Sequence, residues 1–114
     1  MFDQIVYRMR APEIGRDKHG QPIRDWPNAE EREYRDVSMQ PAGTTESSSQ
    51  PGVRVVTGWA LQTRAGQDMD ALPTDRIRWG DRVLEVIGDV ARWPHPIKRG
   101  QVHHVEIRLQ QVRG

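Results

Sequence analysis

Residues 75–88 predict a tight β-hairpin, and this local unit limits the possible folds more than any other segment. Gly80 and Asp81 separate two runs of β-forming residues. A two-residue loop with glycine first suits a type II′ turn, with type I′ as the alternative. Such a short loop fixes the strand register. The predicted pairs are Trp79 with Arg82, Arg78 with Val83, Ile77 with Leu84, and Arg76 with Glu85.

This register assigns the hairpin residues to two faces, because directly opposed residues share a face. Ile77, Leu84 and Val86 form an apolar face that we expect in the core, with Trp79 beside Arg82 as a cation–π pair worth about 0.5–1 kcal/mol if exposed. The other face carries opposed charges and is the better candidate for contacts between subunits. The candidate contact residues there are Arg76, Arg78 and Glu85, joined by Trp93 and His95 from the following segment.

Alternation of apolar and polar residues predicts further strands. They are 4–10, with Ile5, Tyr7 and Met9 on one face; 53–63, with Val53, Val55, Thr57, Trp59 and Leu61 on one face; and 102–112, with Val105, Ile107 and Leu109 opposite His104, Glu106, Arg108 and Gln110. Residues 28–35 fit a short helix with Asn28 as N-cap, but we favour a strand over 33–39, since a mostly antiparallel protein would pair it.

The remaining segments predict irregular structure, because proline and glycine recur in them. Residues 11–31 form an excursion, with 18–22 at the tip of a long hairpin. Residues 64–73 and 89–100 are loops, and Leu72 packs back onto the sheet. Residues 40–52 contain no large apolar side chain and predict a flexible loop that is either solvated or functional.

Together these elements predict a single all-β domain over 1–114, a small antiparallel β-barrel or sandwich of about five or six strands with long loops and little helix. Only 35% of the 114 residues are apolar, and mean hydropathy is −0.81, so the core is thin and partners could order part of the chain. Cysteine is absent, which excludes disulfides and thiolate zinc sites. No apolar run approaches a membrane span and no signal peptide is evident, so the expected compartment is the cytoplasm.

Two clusters of polar residues are candidates for chemistry, and neither predicts an active site. His103 and His104 are adjacent on a strand, so their side chains should point to opposite faces and could not chelate one metal together. A metal enzyme or hydrolase using His95 with one of them remains an alternative. The carboxylates of Asp68, Asp70 and Asp75 fit turn chemistry better than a cation site or a catalytic pair. No catalytic residue, cofactor or metal is predicted.

Single-stranded nucleic-acid binding is a second alternative, since small β-barrels bind strands through aromatic and basic side chains. The net charge of +1 argues against strong phosphate binding. The residues that could supply it are Trp59, Trp79, Trp93, Arg54, Arg64, Arg78, Arg82 and Arg92.

Four motifs resemble a known family. VVTGWAL (55–61), TDRIRWGDRVLEVIG (74–88), RWPHP (92–96) and HHVEIRL (103–109) are similar to the head-to-tail stopper (head-closure) proteins of tailed bacteriophages, especially long-tailed phages that infect actinobacteria. The resemblance covers roughly residues 53–112.

The resemblance implies a virion protein of the neck, assembled in the host cytoplasm as a homo-oligomeric ring. That ring closes the portal channel after DNA packaging and offers the tail a docking surface. Its partners would be portal or adaptor proteins, tail proteins, and double-stranded DNA that passes without sequence-specific binding. A tail-terminator or tail-completion ring is the related alternative. By position and composition, the candidate channel loop comprises Thr44, Thr45, Glu46, Ser47, Ser48, Ser49 and Gln50.

Overall fold

Six antiparallel strands close into a barrel, which confirms the all-β prediction and decides it in favour of a barrel. The structure is a computed structural model that describes residues 1–46, 52, 54–56 and 58–112, with the backbone alone for 44–46 and 54–56. In chain order the strands are β1 (Gln4–Arg10), β2 (Glu13–Arg16), β3 (Pro22–Arg24), β4 (Glu30–Pro41), β5 (Thr44–Glu46), β6 (Arg54–Val56), β7 (Trp59–Thr63), β8 (Arg76–Trp79), β9 (Arg82–Pro94) and β10 (Val102–Gln111), with a 3-10 turn at Trp26–Asn28. The barrel order is β1-β4-β7-β10-β9-β8, and β8 returns to β1.

The β8–β9 hairpin has the predicted register at all four pairs. Gly80 has a φ of 61°, whereas Asp81 is not among the described residues with positive φ. Only a type II′ turn combines these two signs, so the turn is type II′. Ile77 and Leu84 are fully buried, and Val86 packs against the core from its edge.

The strand predicted over 33–39 is part of β4, and a bulge explains its irregular pattern. Val6 of β1 pairs with Tyr34, but Gln4 pairs with Val37, so β4 has one extra residue between these pairs. Asp36 adopts a φ of 57° there. The bulge lets Tyr34 and Val37 both face the core although they are three residues apart.

Several predicted boundaries are wrong. The strand predicted over 53–63 is divided between two sheets: β6 pairs with β5, and β7, which follows Gly58, belongs to the barrel. Val53 and Thr57, predicted on its apolar face, lie outside the described residues. A Cβ at Gly58 would lie 2.7 Å from the Leu109 carbonyl oxygen. Part of the predicted loop 40–52 is strand, because β4 extends to Pro41 and β5 occupies Thr44–Glu46. The predicted loop 89–100 is strand as far as Pro94.

The loop at 64–73 closes one end of the barrel. Met69 and Ala71 of this loop are buried in the core, whereas Leu72, predicted to pack back, is exposed. In β1 the expected Ile5, Tyr7 and Met9 face is the outer one, and Val6 and Arg8 are buried instead. The predicted faces of β10 are confirmed, with Val105, Ile107 and Leu109 in the core.

Two hairpins stand apart from the barrel as two-stranded sheets, β2–β3 and β5–β6. The first confirms the hairpin tip predicted at 18–22, where the Asp17 side chain accepts hydrogen bonds from two backbone N–H groups. The molecule measures 49 × 43 × 24 Å, and its radius of gyration of 16.0 Å exceeds the roughly 13 Å expected for this length. The chain is therefore a thin barrel with extensions. Among the described residues, no helix has the length and apolar character needed to cross a membrane.

Candidate assembly surfaces

Three residues of the predicted channel loop lie within the described part of the chain. These residues, 44–46, form β5 and pair with β6, with Thr44 opposite Val56 and Glu46 opposite Arg54. Ser47, Ser48, Ser49 and Gln50 lie outside the described residues. The candidate loop is thus carried on a β-hairpin that leaves the barrel between β4 and β7.

The predicted contacts near the β8–β9 turn are engaged within the subunit. Arg78 donates from Nε and Nη2 to the two carboxylate oxygens of Glu31, at 2.9 and 3.2 Å, and lies over the Tyr7 ring. The hydrogen bond from Arg78 lowers the pKa of Glu31, and Glu31 in turn raises the pKa of Arg78. Arg78 is therefore less free for a neighbouring subunit than the sequence indicated.

Arg76 and Glu85 are opposed as predicted, but each has a different partner. The guanidinium of Arg76 lies 4.0 Å from the Trp26 ring centre, and Gln110 Nε2 donates to Glu85 Oε1 at 2.6 Å. No ion pair joins Arg76 to Glu85 in the part of the chain that is described. Arg76 and Glu85 are therefore cross-strand neighbours in the predicted register, but no salt bridge between them stabilises it.

Arg76 lines an open groove of about 1100 Å³, and Trp26 and Trp59 line it as well. Trp59 and Trp79 meet edge to face at 4.9 Å, and Arg82 lies over both rings, which confirms the predicted Trp79–Arg82 pair. Tryptophan and arginine are the residues most enriched at energetically important contacts. The groove is a candidate binding surface, and Trp26 is the member that the sequence did not indicate. Its lining residues are Met9, Trp26, Pro27, Trp59, Arg76, Asp81, Arg82, Val83, Gln111 and Val112.

Asp68, Asp70 and Asp75 are ion-paired with arginines at the closed end of the barrel and do not converge on a catalytic pair. Arg10 donates to Asp75 from Nε at 3.0 Å and from Nη2 at 2.8 Å, and Arg92 pairs with Asp68 at 3.3 Å. The hydrogen bond from Arg10 lowers the pKa of Asp70, and chiefly Asp75 raises the pKa of Arg10.

Arg8 is the member of this network that the sequence did not reveal. It is 2% exposed, and its guanidinium donates to Asp70 at 3.0 Å and to Glu30 at 2.8 Å. It also donates to the Asp70 carbonyl oxygen. A charged residue in an alternating strand is normally assigned to solvent, so no local signal marks it as buried. Its contacts tie the end-closing loop to β1 and β4.

The expected separation of the two adjacent histidines is wrong. A bulge lies between Val102 and His104, and it brings His103 Nδ1 within 2.8 Å of His104 Nδ1. His104 also contacts Glu106 through Nε2, at 3.3 Å, and stacks on Trp93. Among the described residues, no three His, Cys, Asp or Glu side chains are arranged to hold a metal ion.

The remaining predicted contacts lie at the opposite end of β9, beside a compact turn. Trp93 is half exposed, and its indole N–H donates to Glu106. His95 Nδ1 accepts hydrogen bonds from the backbone N–H groups of Ile97 and Lys98, at 3.1 and 3.0 Å. The backbone N–H of His95 donates to the Gln101 carbonyl oxygen. We call residues 94–101 the hairpin tip.

A depression of about 360 Å³ lies on the outer face of β4, β7, β10 and β9. Small residues on the two strands that flank β10, Ala60 of β7 and Ala91 of β9, leave room for it. Glu106 pairs with Ala91 and Arg108 with Ile87, so β9 has two extra residues at this point, and this bulge places Asp89 at the rim. Its lining residues are Ser38, Gln40, Ala60, Leu61, Gln62, Asp89, Ala91, Glu106, Ile107 and Arg108.

No protein-family model matches the chain, and no curated protein matches it. Among solved structures, the fold is similar to that of a chain in the virion of a native gene transfer agent particle. The TM-score is 0.58 at 19% sequence identity, and the alignment covers 100% of this chain and 98% of the other. At this identity the likeness shows a shared fold along the whole length of both chains.

Proposed function

We propose that this protein is a non-enzymatic structural component of the virion of a tailed phage or a phage-like particle. The observation that carries the proposal is the likeness to a chain of a gene transfer agent virion, which extends over all of this chain and 98% of that one. The phage-like motifs of the sequence are an independent argument for the same class of protein.

Within the virion, we assign the protein to the neck, as a stopper-type ring subunit that closes the portal channel after DNA packaging and receives the tail. The sequence resemblance over residues 53–112 supports this assignment. A subunit 24 Å thin with two hairpins outside its barrel suits a ring, because the barrel can form the wall while the hairpins reach neighbours or the channel. The near-neutral charge suits a channel through which DNA passes without being held.

The channel role belongs to the hairpin that carries 44–46 and 54–56. Its connecting residues contain no large apolar side chain, so closure would require several copies to meet across the ring. The hairpin is the candidate gate because it leaves the barrel as a separate sheet.

Deletion of the gene from a particle-producing strain tests this role. We expect DNA-filled heads that lose their DNA and carry no tails, observed by electron microscopy and by nuclease sensitivity of the packaged DNA. Complementation with the wild-type gene is the control. Heads that retain DNA and join tails normally without the protein would refute the neck assignment, and absence of the protein from purified particles by mass spectrometry would refute the virion proposal itself.

The tail-terminator ring is the closest alternative, and fractionation separates the two. A stopper would remain with filled heads from a tail-deficient mutant, whereas a tail terminator would remain with tails from a head-deficient mutant.

The tryptophan-lined groove favours a second candidate, binding of single-stranded nucleic acid, because bases stack on aromatic rings and arginines contact phosphates. Titration with a mixed-sequence DNA oligonucleotide at low salt would quench tryptophan fluorescence in that case. Unchanged fluorescence, together with unchanged mobility of the oligonucleotide, would remove this candidate.

A further inference from the structure

We propose that copies of this chain contact each other head to tail: the hairpin tip of one copy enters the depression on the outer face of β4, β7, β10 and β9 of the next copy. The proposal rests on the proposed ring and names the contact that would build it. Two surfaces support the proposal. The tip presents an exposed isoleucine and two cations, and the depression is lined by alanines and has carboxylates at its rim.

The tip is ordered but leaves its side chains unused. The imidazole of His95 holds the backbone of Ile97 and Lys98, and Gln101 N–H donates to the Lys98 carbonyl oxygen. Even so, Ile97 is 85% exposed. A rigid element that presents a large apolar side chain is prepared for binding, since little entropy remains to be lost.

The charges of the tip are also unpaired. Lys98 and the neighbouring Arg99 take part in none of the ion pairs of the described residues. Two cations beside an exposed isoleucine fit an apolar pocket with carboxylates at its rim, because each surface then neutralises the other.

The depression matches that description. Its rim holds the carboxylates of Asp89 and Glu106 against the single guanidinium of Arg108, which leaves one net negative charge. Glu106 already accepts from Trp93 and contacts His104, whereas Asp89 has no ion pair among the described residues. A volume of about 360 Å³ is at the lower end of pockets that take a small group.

The tryptophan-lined groove is a poorer receiver for this tip. Arg76 and Arg82 outnumber Asp81 there, so the groove is net positive and would repel Lys98 and Arg99. A positive groove is better suited to a different, acidic partner.

The contact must form between copies. The tip continues the same β9–β10 hairpin that forms one side of the depression, in which Ala91 pairs with Glu106 and Pro94 with Val102, so the tip cannot fold back onto its own depression. Two different surfaces that bind each other generate a head-to-tail series, which closes into a ring or grows into a filament according to the rotation per copy.

Disulfide trapping tests the contact directly, because the chain contains no cysteine. Ile97→Cys and Ala91→Cys are made in separate chains, and the two proteins are mixed under mild oxidation. We expect a mixed disulfide dimer to form about ten-fold faster or more than in the control mixture, because docking raises the local concentration of the two thiols. The control mixture pairs Ala91→Cys with Ile14→Cys, which is also an exposed isoleucine but lies in β2.

Charge reversal distinguishes docking from random collision. Lys98→Glu in the Ile97→Cys chain should remove the advantage, and Asp89→Lys in the Ala91→Cys chain should restore it. Mixed-disulfide formation that is no faster than in the control mixture would overturn the proposed contact. A faster rate that stays the same after both charge changes would also overturn it.

The outcome is separable from that of the proposed function. Protein found in particles, without preferential trapping, would reject this interface and leave the virion role intact. Preferential trapping by a protein that is absent from particles would support the contact and reject the virion role.

Discussion

Replacement of Arg8 by methionine separates packing from charge at the closed end of the barrel. Arg8 is buried, yet its carboxylate partners Glu30 and Asp70 are mostly exposed, at 73% and 55%. Its buried Nε has no hydrogen-bond partner among the described residues. Methionine keeps an unbranched stem of similar length and needs no hydrogen bond. The substitution loses two ion pairs, which lowers stability, but it also removes the free-energy cost of burying a cation, which raises stability.

The magnitudes nearly cancel. Three hydrogen bonds disappear, and bonds to charged groups contribute about 1.5–3 kcal/mol each when well shielded. Exposed partners reduce that figure to about 0–1 kcal/mol for an ion pair, since water replaces the lost donor. Against this stands a desolvation penalty of several kcal/mol for the buried guanidinium. We therefore expect the free energy of unfolding of Arg8→Met to lie within about 1 kcal/mol of the wild-type value.

Arg8→Ala is the matched variant, since it also removes the stem and leaves a cavity. By analogy with other large-to-alanine changes, we expect a loss of about 2–5 kcal/mol. Urea unfolding followed by tryptophan fluorescence measures both variants, with the slope showing whether the unfolded state has changed. A loss above about 3 kcal/mol for Arg8→Met would refute the reasoning, because the ion network would then close the barrel end.

Three further changes test other parts of the structure by the same unfolding assay or its thermal equivalent. Gly58→Ala should cost about 1–3 kcal/mol, because its Cβ would lie 2.7 Å from the Leu109 carbonyl oxygen; an unchanged midpoint would contradict that close approach. Leu84→Ala should cost about 2–5 kcal/mol, and a smaller loss would place this side chain outside the core. Because Arg78 lowers the pKa of Glu31 in the folded state, stability should fall as acid protonates that carboxyl below about pH 4. Arg78→Gln should flatten this dependence in melts from neutral to acid pH, and an unaltered dependence would dismiss the pair.

The sequence predicted structure well where the deciding interactions were local. The β8–β9 register follows from a two-residue turn, so four pairs could be assigned without knowledge of any other strand. The inner face of β10 follows from simple alternation.

The features that the sequence did not predict depend on pairing between strands that are far apart in the chain. The bulge at Asp36 exists because β4 must pair with β1 and also with β7, and the bulge beside His103 depends on β9. Each bulge changes which side chains share a face, so alternation alone misassigned the histidines. The burial of Arg8 likewise depends on a carboxylate 62 residues away.

The candidate contact residues show the same division. Their positions on the hairpin were predicted, but the partners that occupy Arg76 and Arg78 come from the segment at 26–31, far away in the sequence. The sequence predicted only a loop over 89–100, because nothing local indicates that the His95 imidazole orders the backbone of Ile97 and Lys98.

The apolar core and the most exposed isoleucines lie in different parts of this chain. The core fills the barrel, and Met69 and Ala71 of the end-closing loop are part of it. Ile5 and Ile87 are exposed on barrel strands, but the other exposed isoleucines lie on extensions: Ile14 and Ile23 in the β2–β3 hairpin, and Ile97 at the tip. In the proposed ring, burial of each of these isoleucines against a neighbouring subunit would contribute about 1.5–3 kcal/mol. A ring of the proposed kind could therefore draw contact energy from the extensions without loss to the barrel core.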